Sequence, residues 1–378
     1  MMNMDVWNYL AILSALIWLI IWLLPWQAWQ TNEVLEAEIN VDNNTIDLSD
    51  ITVIIPARNE AEMIGNTLQA LAIQGQGLQV IVIDDHSEDE TATIVKTIKQ
   101  SSWQLITADA LPEGWTGKLW AQHQGLALVN TPLTLLLDAD IQLMPGMLAS
   151  LKRKYSQQQL PFISLMAQLR LETFWEKWLM PAFIYFFKML YPFKLVNHPE
   201  VKLAAAAGGC ILVETQLLKK IGGLESIKNA VIDDCTLART VKNNGYPVWL
   251  GLTHGVLSQR TSHHLKDIWQ MVSRTAYTQL DYSLFWLCLC TIVMLILYIM
   301  PVIGLYLSNS SIGFLYLSSY LIMNRLYLPT LIFYRLNPLW SLTMPIIALF
   351  YLLMTWDSAI DYWRGIRCQW KGRVYVNS

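Results

Sequence analysis

Charged side chains are scarce in this sequence, since Asp, Glu, Lys and Arg together make up 15% of its 378 residues. The 26 Lys and Arg are balanced by 29 Asp and Glu, and the sequence has no basic patch of the kind that binds nucleic acid. Hydrophobic residues make up 54%, and the mean hydropathy is +0.34. This composition argues against a nucleic-acid partner and indicates an integral membrane protein.

Cysteines are also few and irregularly spaced. The five cysteines show no CxxC spacing, and two of them lie within one apolar stretch. This pattern argues against a disulfide framework and against a zinc site, and it fits a reducing compartment. The cysteines are Cys210, Cys235, Cys288, Cys290 and Cys368.

The apolar residues cluster at the two ends of the chain, which indicates one polar domain between membrane segments. Residues 7–29 are almost entirely apolar and long enough to span a bilayer, with tryptophans weighted to one end. Asp5 and the lack of a small-residue cleavage site argue against a signal peptide, so we expect an uncleaved transmembrane anchor. Residues 30–50 are acidic and polar and are predicted to be a linker.

Two further stretches suit a membrane environment. Residues 174–196 are dense in aromatic side chains, interspersed with lysines and prolines that favour an interfacial segment over a spanning helix. The region 284–356 is apolar again and is predicted to hold two or three spans, from the candidates 284–307, 312–334 and 338–356. The second candidate contains Arg325, which is costly near the middle of a span and should face protein or the interface.

The tail, 357–378, is basic, so the positive-inside bias places it in the cytosol. Three full spans after a cytosolic domain would place the same tail outside. One stretch must then be re-entrant or interfacial, or the number of spans differs by one.

Between the two ends, residues 51–280 alternate strand-like and helix-like patterns. This alternation predicts an α/β domain with a doubly wound, mostly parallel sheet, in which ligands bind beyond the carboxyl ends of the strands. The apolar run 135–137 ends in Asp138 and Asp140, and the run 78–83 ends in Asp84 and Asp85. Both acidic clusters therefore fall where a ligand is expected.

Asp138 and Asp140 are spaced i, i+2, which places both carboxylates on one side of an extended chain. Two hard oxygen ligands in this position suit Mg²⁺ or Mn²⁺ carrying a phosphate. Taken alone, the stretch is better explained as a strand that runs into an acidic turn, and it is the sequence before and after it that favours a metal site.

At this point the chain resembles glycosyltransferase family 2, whose members are inverting enzymes with a nucleotide-sugar-binding sheet of the GT-A type. Within that family it is most similar to the hopanoid-associated (hopene-associated) membrane glycosyltransferases, with ceramide and carotenoid glycosyltransferases as more distant relatives. The resemblance covers residues 51–280 and extends to the tail stretch 370–375. It rests on six motifs in order: Val53-Ile-Ile-Pro-Ala-Arg-Asn-Glu60, Ile83-Asp-Asp-His-Ser-Glu-Asp-Glu-Thr91, Gly117-Lys118, Asp138-Ala-Asp140, Gly208-Gly209 and Asp233-Asp234.

The resemblance implies a nucleotide pocket bordered by Pro56, Ala57 and Glu60. Asp84 or Asp85 would accept hydrogen bonds from the uracil or the ribose. The other residues that it assigns to donor binding are Lys118, Asp138, Gly208 and Gly209.

The resemblance also implies a metal site and a catalytic base. Asp138 and Asp140 would lie against the ribose and a Mg²⁺ or Mn²⁺ ion, with Asp140 the direct ligand, and Lys118 would add a positive charge near the phosphates. Asp234 would be the general base that deprotonates the acceptor hydroxyl, with Asp233 as the alternative. Many relatives carry Glu-Asp here, so the first carboxylate of this chain is shorter.

The predicted function is that of a membrane-bound inverting glycosyltransferase, which moves one sugar from a nucleotide-sugar, expected to be a UDP-sugar, to a lipid such as a hopanoid. One alternative is a glycosyltransferase that acts on polyprenyl phosphate or initiates a polysaccharide; another is a non-catalytic membrane protein that binds a lipid or a partner. Processive synthases of the family carry Gln-x-x-Arg-Trp, whereas this chain has Gln270-Met-Val-Ser-Arg274-Thr275, which argues against a processive synthase. The expected location is a bacterial inner membrane, crossed several times, with the catalytic domain in the cytosol.

Several aromatic and histidine residues have two interpretations. His263 and His264 suggest a metal site but are adjacent and point in different directions on regular structure, which favours a solvated loop. His254 is either structural or a metal ligand. Trp115 and Trp120 flank the Gly117-Lys118 motif and either shape the pocket or pack in the core.

Overall fold

The computed structural model describes residues 4–38, 45–98, 100–307, 310–365, 369–370 and 373–374. The chain forms two compact units. One, the sheet unit, comprises Glu33–Arg170, Leu195–Thr261 and Arg367–Ser378. The other, the apolar unit, comprises Met1–Asn32, Leu171–Lys194 and Ser262–Ile366.

The sheet unit is built on one eight-stranded sheet with the order β3-β2-β1-β4-β7-β6-β8-β5. Its first four strands along the sheet pair in parallel, and antiparallel pairs join β7 to both β4 and β6 and join β5 to β8. The strands are β1 Ile51–Ala57, β2 Gln79–Asp84, β3 Trp103–Thr107, β4 Leu133–Leu137, β5 Ile141–Leu143, β6 Phe162–Gln168, β7 Cys210–Glu214 and β8 Trp249–Ser258.

Helices connect these strands as the alternating pattern predicted. Their apolar faces bury Leu68, Val95 and Leu119, among others, because successive apolar residues recur at helical spacing. The helices are α2 Ile64–Ala72, α3 Thr91–Ile98, α4 Gly117–Ala127, α5 Met147–Gln158, α8 Thr215–Lys220 and α9 Asp233–Asn243. The predicted doubly wound α/β sheet is confirmed, and its strand pattern is mixed, whereas a mostly parallel sheet was predicted.

The strands β1, β2 and β4 position the ligand-binding edge. Their apolar residues are buried on both faces, as expected for strands covered by helices. Ile54 is the last residue of β1 that pairs with β4, and Pro56 lies beyond it. The missing N–H of Pro56 therefore costs no hydrogen bond to β4. Because β1, β2 and β4 run in parallel, their carboxyl ends lie at one edge.

The predicted linker, 30–50, makes two isolated bridges within the sheet unit. Val34 pairs with Leu252, and Asp47 pairs with Gln76. Residues 39–44 of this stretch lie outside the described residues.

The apolar unit consists of helices. Its first helix, α1, runs from Met4 to Leu23, and the predicted interfacial segment 174–196 contains α6 Phe174–Leu190 and the short α7 Phe193–Val196. A capping box between Thr173 and Glu176 begins α6. The remaining helices are α10 Leu265–Ser273, α11 Leu284–Met294, α12 Met300–Leu307, α13 Ser310–Phe333 and α14 Met344–Trp363.

Three helical stretches among the described residues are long and apolar enough to cross a membrane: Val6–Leu23, Leu284–Leu307 and Pro338–Trp363. The second joins α11 to α12 through a π-helical turn, Leu295–Ile299. Helix α13, with Asn324 and Arg325 in its sequence, is not among the three. Helix α14 continues into the predicted tail, of which residues 366–368, 371–372 and 375–378 lie outside the described residues.

Candidate active site

The Asp138-Ala139-Asp140 turn lies between β4 and β5 and is fixed by hydrogen bonds of its backbone. The Asp138 N–H donates to Gly209 O (3.1 Å), and the Ile141 N–H donates to Asp138 O (3.1 Å). Thr67 donates from Oγ1 to Ala139 O (2.8 Å). The side chains of Asp138 and Asp140 thus project from a turn whose backbone is held from several sides.

Lys118 connects this turn to the predicted catalytic base. Thr116 caps helix α4 by accepting from the Leu119 N–H (3.3 Å), which places Lys118 in the first turn. The Lys118 Nζ lies 2.8 Å from Asp138 Oδ1 and 3.5 Å from Asp233 Oδ2. Although burial opposes it, the carboxylates of Asp138, Asp233 and Asp234 raise the pKa of Lys118 above its ordinary value. Lys118 is therefore a cation in this site.

Asp233 and Asp234 form the first turn of α9, where the helix dipole favours negative charge. Asp234 Oδ1 accepts from the Cys235 N–H (2.7 Å). Burial and the neighbouring Asp233 carboxylate nevertheless raise the pKa of Asp234 to about 7. A carboxylate with a pKa near neutrality suits proton transfer.

Gly208 and Gly209 line the space next to these carboxylates. A Cβ built on Gly208 would lie 3.3 Å from Asp234 Oδ2 and 3.4 Å from Lys118 Nζ, so the missing side chain lets the chain pass close to both. Cys235 donates from Sγ to Ala206 O (3.5 Å), which holds α9 against the same segment. The four motifs from Gly117 to Asp234 thus meet in one place.

Arg260 is a further residue of the site, which the sequence did not predict. This residue follows β8 and donates from Nε to Asp140 Oδ2 (2.8 Å) and from Nη2 to Glu60 Oε1 (3.2 Å). Although burial opposes it, Asp140 and Glu60 raise the pKa of Arg260. The sequence offered only a single arginine with no motif around it, which is not distinctive.

The two nucleotide-binding motifs predicted from the sequence lie side by side. The loop after β1 and the loop after β2 exchange hydrogen bonds: the Asn59 N–H donates to Ser87 Oγ (3.0 Å), and the Glu88 N–H donates to Asn59 Oδ1 (2.8 Å). Arg58 donates from Nη1 to Asp85 O (2.6 Å). Pro56, Ala57, Asp84 and Asp85 are all buried at or next to these strand ends, and their assignment to nucleotide binding remains a prediction.

The charges of the site are unbalanced. Five carboxylates lie around two cations, since Lys118 faces three aspartates and Arg260 faces two acids. Within the described part of the chain, no group of three or more His, Cys, Asp or Glu side chains is arranged to hold a metal. A divalent ion that takes one or two carboxylates and completes its shell with substrate phosphates and water fits Asp138 and Asp140. The carboxylates are Glu60, Asp138, Asp140, Asp233 and Asp234.

Neither His254 nor the two tryptophans Trp115 and Trp120 belong to a cluster of metal ligands among the described residues. His254 Nδ1 is 2.6 Å from Glu36 Oε1. Trp115 packs against Trp120 and His123, with ring centroids 5.1 and 4.8 Å away, and both tryptophans are partly exposed. Trp115 and Trp120 thus form a partly exposed aromatic group at the start of α4.

Part of the chain matches a known protein family. Residues 52–222 match the family model Glycosyl transferase family 2. The match supports a family 2 glycosyltransferase domain in this part of the chain.

Two curated relatives are similar to this chain over part of their length. A 4,4'-diaponeurosporenoate glycosyltransferase of Staphylococcus haemolyticus (strain JCSC1435) is 33% identical over 110 residues, 29% of this chain and 29% of its own length. One of the same name from Staphylococcus aureus (strain USA300) is 35% identical over 91 residues, 24% of each chain. The similarity therefore spans under a third of either relative.

A solved structure extends the likeness in fold. A mannosyltransferase from Pyrobaculum calidifontis, in complex with GDP-Man and Mn²⁺, aligns with a TM-score of 0.54 and 16% identity, over 93% of this chain and 99% of its own. At this identity the likeness establishes the fold alone.

Proposed function

We propose that this protein is a membrane-bound inverting glycosyltransferase that transfers one sugar from a nucleotide-diphosphate sugar to a lipid hydroxyl. The observation that carries the proposal is the Lys118 ion pair with Asp138 and Asp233, because it joins the expected donor side of the site to the Asp233-Asp234 pair that is expected to supply the base. The family 2 match over residues 52–222 supports the reaction class.

On the donor side, Asp138 and Asp140 would hold a Mg²⁺ or Mn²⁺ ion, whose chemistry is to offset negative charge on the diphosphate. Both carboxylates lie on a fixed turn, and Asp140 is nearly buried, so each oxygen is oriented before a ligand arrives. Lys118 carries a fixed positive charge beside them, which favours an anionic leaving group. A UDP-sugar is the donor that the sequence resemblance predicts.

On the acceptor side, Asp234 accepts the proton of the lipid hydroxyl while the hydroxyl oxygen attacks the anomeric carbon. The bond from that carbon to the diphosphate oxygen breaks, and the nucleoside diphosphate leaves with the bonding electron pair. A single displacement of this kind inverts the anomeric configuration, and the carboxylate acts from the side opposite the leaving group, as in inverting glycosidases. Asp234 fits the role because its pKa of about 7 lets it both accept and lose a proton near neutral pH.

The acceptor is proposed to be a membrane lipid. The apolar unit exposes large apolar side chains along α1 and α11, among them Leu16, Ile20, Phe285 and Ile292, as expected for helices in contact with acyl chains. The relatives named for 4,4'-diaponeurosporenoate favour a lipid acceptor. A hopanoid is the acceptor that the sequence resemblance predicts.

The protein is proposed to reside in a bacterial inner membrane, with the sheet unit in the cytosol. If all three apolar stretches cross the membrane, the tail would lie on the same side as the residues between the first and the second stretch. The basic composition of the tail favours the cytosolic side.

The test uses the purified full chain in detergent, with Mn²⁺, a panel of UDP-sugars and GDP-mannose, and a total bacterial lipid extract that contains hopanoids and polyprenyl phosphates. Mass spectrometry should detect one lipid that gains a single sugar mass, and EDTA should abolish the product. A product on polyprenyl phosphate, or a polymer, would assign the protein to the alternative enzyme class. Nucleotide binding without nucleotide release or lipid product would contradict a catalytic role.

A further inference from the structure

Arg260 contacts Asp140, one of the two carboxylates that would hold the proposed metal, and it also contacts Glu60. Its Nε is 2.8 Å from Asp140 Oδ2, and its Nη2 is 3.2 Å from Glu60 Oε1. The Asp140 and Glu60 side chains are 12% and 6% exposed, whereas the Arg260 side chain is 49% exposed. The acids are therefore enclosed, whereas about half of the Arg260 side chain is exposed to solvent.

The backbone beneath Arg260 is anchored independently of its side chain. The neighbouring Gln259 N–H donates to Asp140 O (2.9 Å), and Gln259 Nε2 donates to Thr67 Oγ1 (2.9 Å). Asn66 donates from Nδ2 to Gln259 Oε1 (2.9 Å). A change in the Arg260 rotamer can therefore move the guanidinium while its Cα stays beside Asp140.

A divalent ion and the guanidinium compete for Asp140. Mg²⁺ binds carboxylate oxygens at about 2.0–2.1 Å, and a second cation in hydrogen-bonding contact with the same carboxylate is opposed by charge repulsion. A guanidinium released from Asp140 has a natural partner in a diphosphate, because its planar donors match phosphate oxygens in pairs.

We propose that Arg260 is a donor-binding residue. Its guanidinium neutralises Asp140 in the free protein and moves to hydrogen-bond the donor diphosphate when metal and nucleotide bind. The inference rests on the proposed function and deepens it, since it assigns a residue to donor recognition and predicts that metal and nucleotide bind cooperatively. Because Arg260 lowers the affinity for metal alone and raises the affinity for nucleotide, it increases the coupling between the two ligands.

The experiment measures ligand binding to the full chain in detergent by calorimetry, with Mn²⁺ alone, with UDP or GDP alone, and with both. In the wild type, saturating nucleotide should lower the Kd for Mn²⁺ at least tenfold. In R260A, Mn²⁺ alone should bind about fivefold more tightly, and the nucleotide should bind about tenfold more weakly in the presence of Mn²⁺. R260K, which keeps the charge but loses the paired donors, should recover part of the nucleotide affinity.

R153A is the matched control, because Arg153 forms a comparable pair with Glu38 (2.7 Å) on the surface of the sheet unit. It should leave all three Kd values unchanged. If Arg260 only clamps Glu60 to Asp140, R260A would weaken Mn²⁺ and nucleotide alike and lower the Tm, which would overturn the inference. Unchanged nucleotide affinity in R260A would overturn it as well, and sugar transfer by the wild-type preparation tests the proposed function separately.

Discussion

Gly208 lies in direct contact with Asp234: a Cβ at position 208 would be 3.3 Å from Asp234 Oδ2 and 3.4 Å from Lys118 Nζ. The distance to Asp234 is tighter than ordinary van der Waals contact of a Cβ, and the distance to Lys118 is at the lower limit of such contact. The close approach explains why a glycine stands beside Asp234, the proposed base, and its neighbouring cation, and it makes position 208 a sensitive probe of the site.

We expect G208A to lower turnover about tenfold or more, because the methyl group displaces Asp234 or Lys118 by a few tenths of an ångström, and small misplacements of catalytic groups are costly. The fold should persist, since both contacts are with side chains. Sugar transfer and Tm are measured together. G65A is the matched control, because its Cβ would make ordinary contacts of 3.5 and 3.6 Å with Ile94 and Ile98. Wild-type turnover in G208A would show that the contact has no catalytic consequence.

We expect D234N to reduce turnover by about 10²–10⁴-fold, the usual contribution of a general base, because the amide cannot accept the acceptor proton. Nucleotide affinity should stay within about twofold, since the side chain keeps its size. D50N, which alters a surface pair with Lys152, is the control. If D234N retains most of its activity while D233N loses it, the base is Asp233.

The pH dependence of turnover should follow Asp234. With a pKa of about 7, Asp234 is protonated at lower pH, so kcat/KM should rise as the pH increases through about 7. The groups that face it are Asp233, Lys118 and the backbone N–H groups of Cys235 and Gly208. Removal of the like charge in D233N should shift this acidic limb to lower pH. An unmoved limb would exclude Asp234 as the titrating group.

The substitution K118Q should shift the same limb in the opposite direction. Lys118 lowers the pKa of Asp234. Without Lys118, burial and the Asp233 carboxylate raise that pKa further, so the limb should move to higher pH. Nucleotide affinity should also fall, since Lys118 supplies the fixed positive charge of the donor side. A shift to lower pH in K118Q would contradict the electrostatic account of the site. K219Q, which alters a lysine bonded to Val129 O, is the control.

The same pKa shift bears on stability. The folded state binds the Asp234 proton more tightly than the unfolded chain does, so this group stabilises the fold at low pH. That contribution is complete below about pH 4 and is lost as the pH rises through about 7. The ionised form of Asp234, which the proposed mechanism requires, therefore stabilises the fold less than the protonated form does.

Much of this site could be predicted because its residues belong to local patterns. Asp138 and Asp140 directly follow an apolar strand, and Lys118 follows a loop marked by glycine and proline. Asp233 and Asp234 begin a helix. Each pattern lies within about one element of secondary structure, and the parallel order of β1, β2 and β4 brings several of the ends to one edge.

Arg260 could not be predicted because its position depends on distant pairing. It lies 120 residues after Asp140 and reaches it because β8 pairs with β5, with Ile141 opposite Ser258. That pairing is antiparallel, whereas the alternation of strands and helices predicted a mostly parallel sheet. The register of such a pair is fixed by tertiary packing rather than by the residues next to Arg260.

In the apolar unit, Lys188 is a buried cation that joins three segments. It is 1% exposed and donates from Nζ to Trp29 O (3.2 Å), Gln30 O (3.1 Å) and Thr330 Oγ1 (3.0 Å). Helix α6 is thereby linked to α13 and to the chain that follows α1. The aromatic composition of 174–196 predicts an apolar segment, but it does not predict this polar junction.

We expect K188M to lower the Tm of the full chain in detergent by several degrees, because loss of the donor leaves buried carbonyl oxygens unsatisfied, at a cost of about 1–3 kcal/mol each. Methionine has a similar length, so a cavity contributes little to the effect. K194M is the matched control, since Lys194 also donates to a backbone carbonyl, Pro25 O (3.1 Å), but in an exposed position. Its Tm should match the wild type. Nucleotide affinity should be unchanged in both variants, because Lys188 belongs to the apolar unit and the donor residues belong to the sheet unit. An unchanged Tm in K188M would show that the junction does not stabilise the protein.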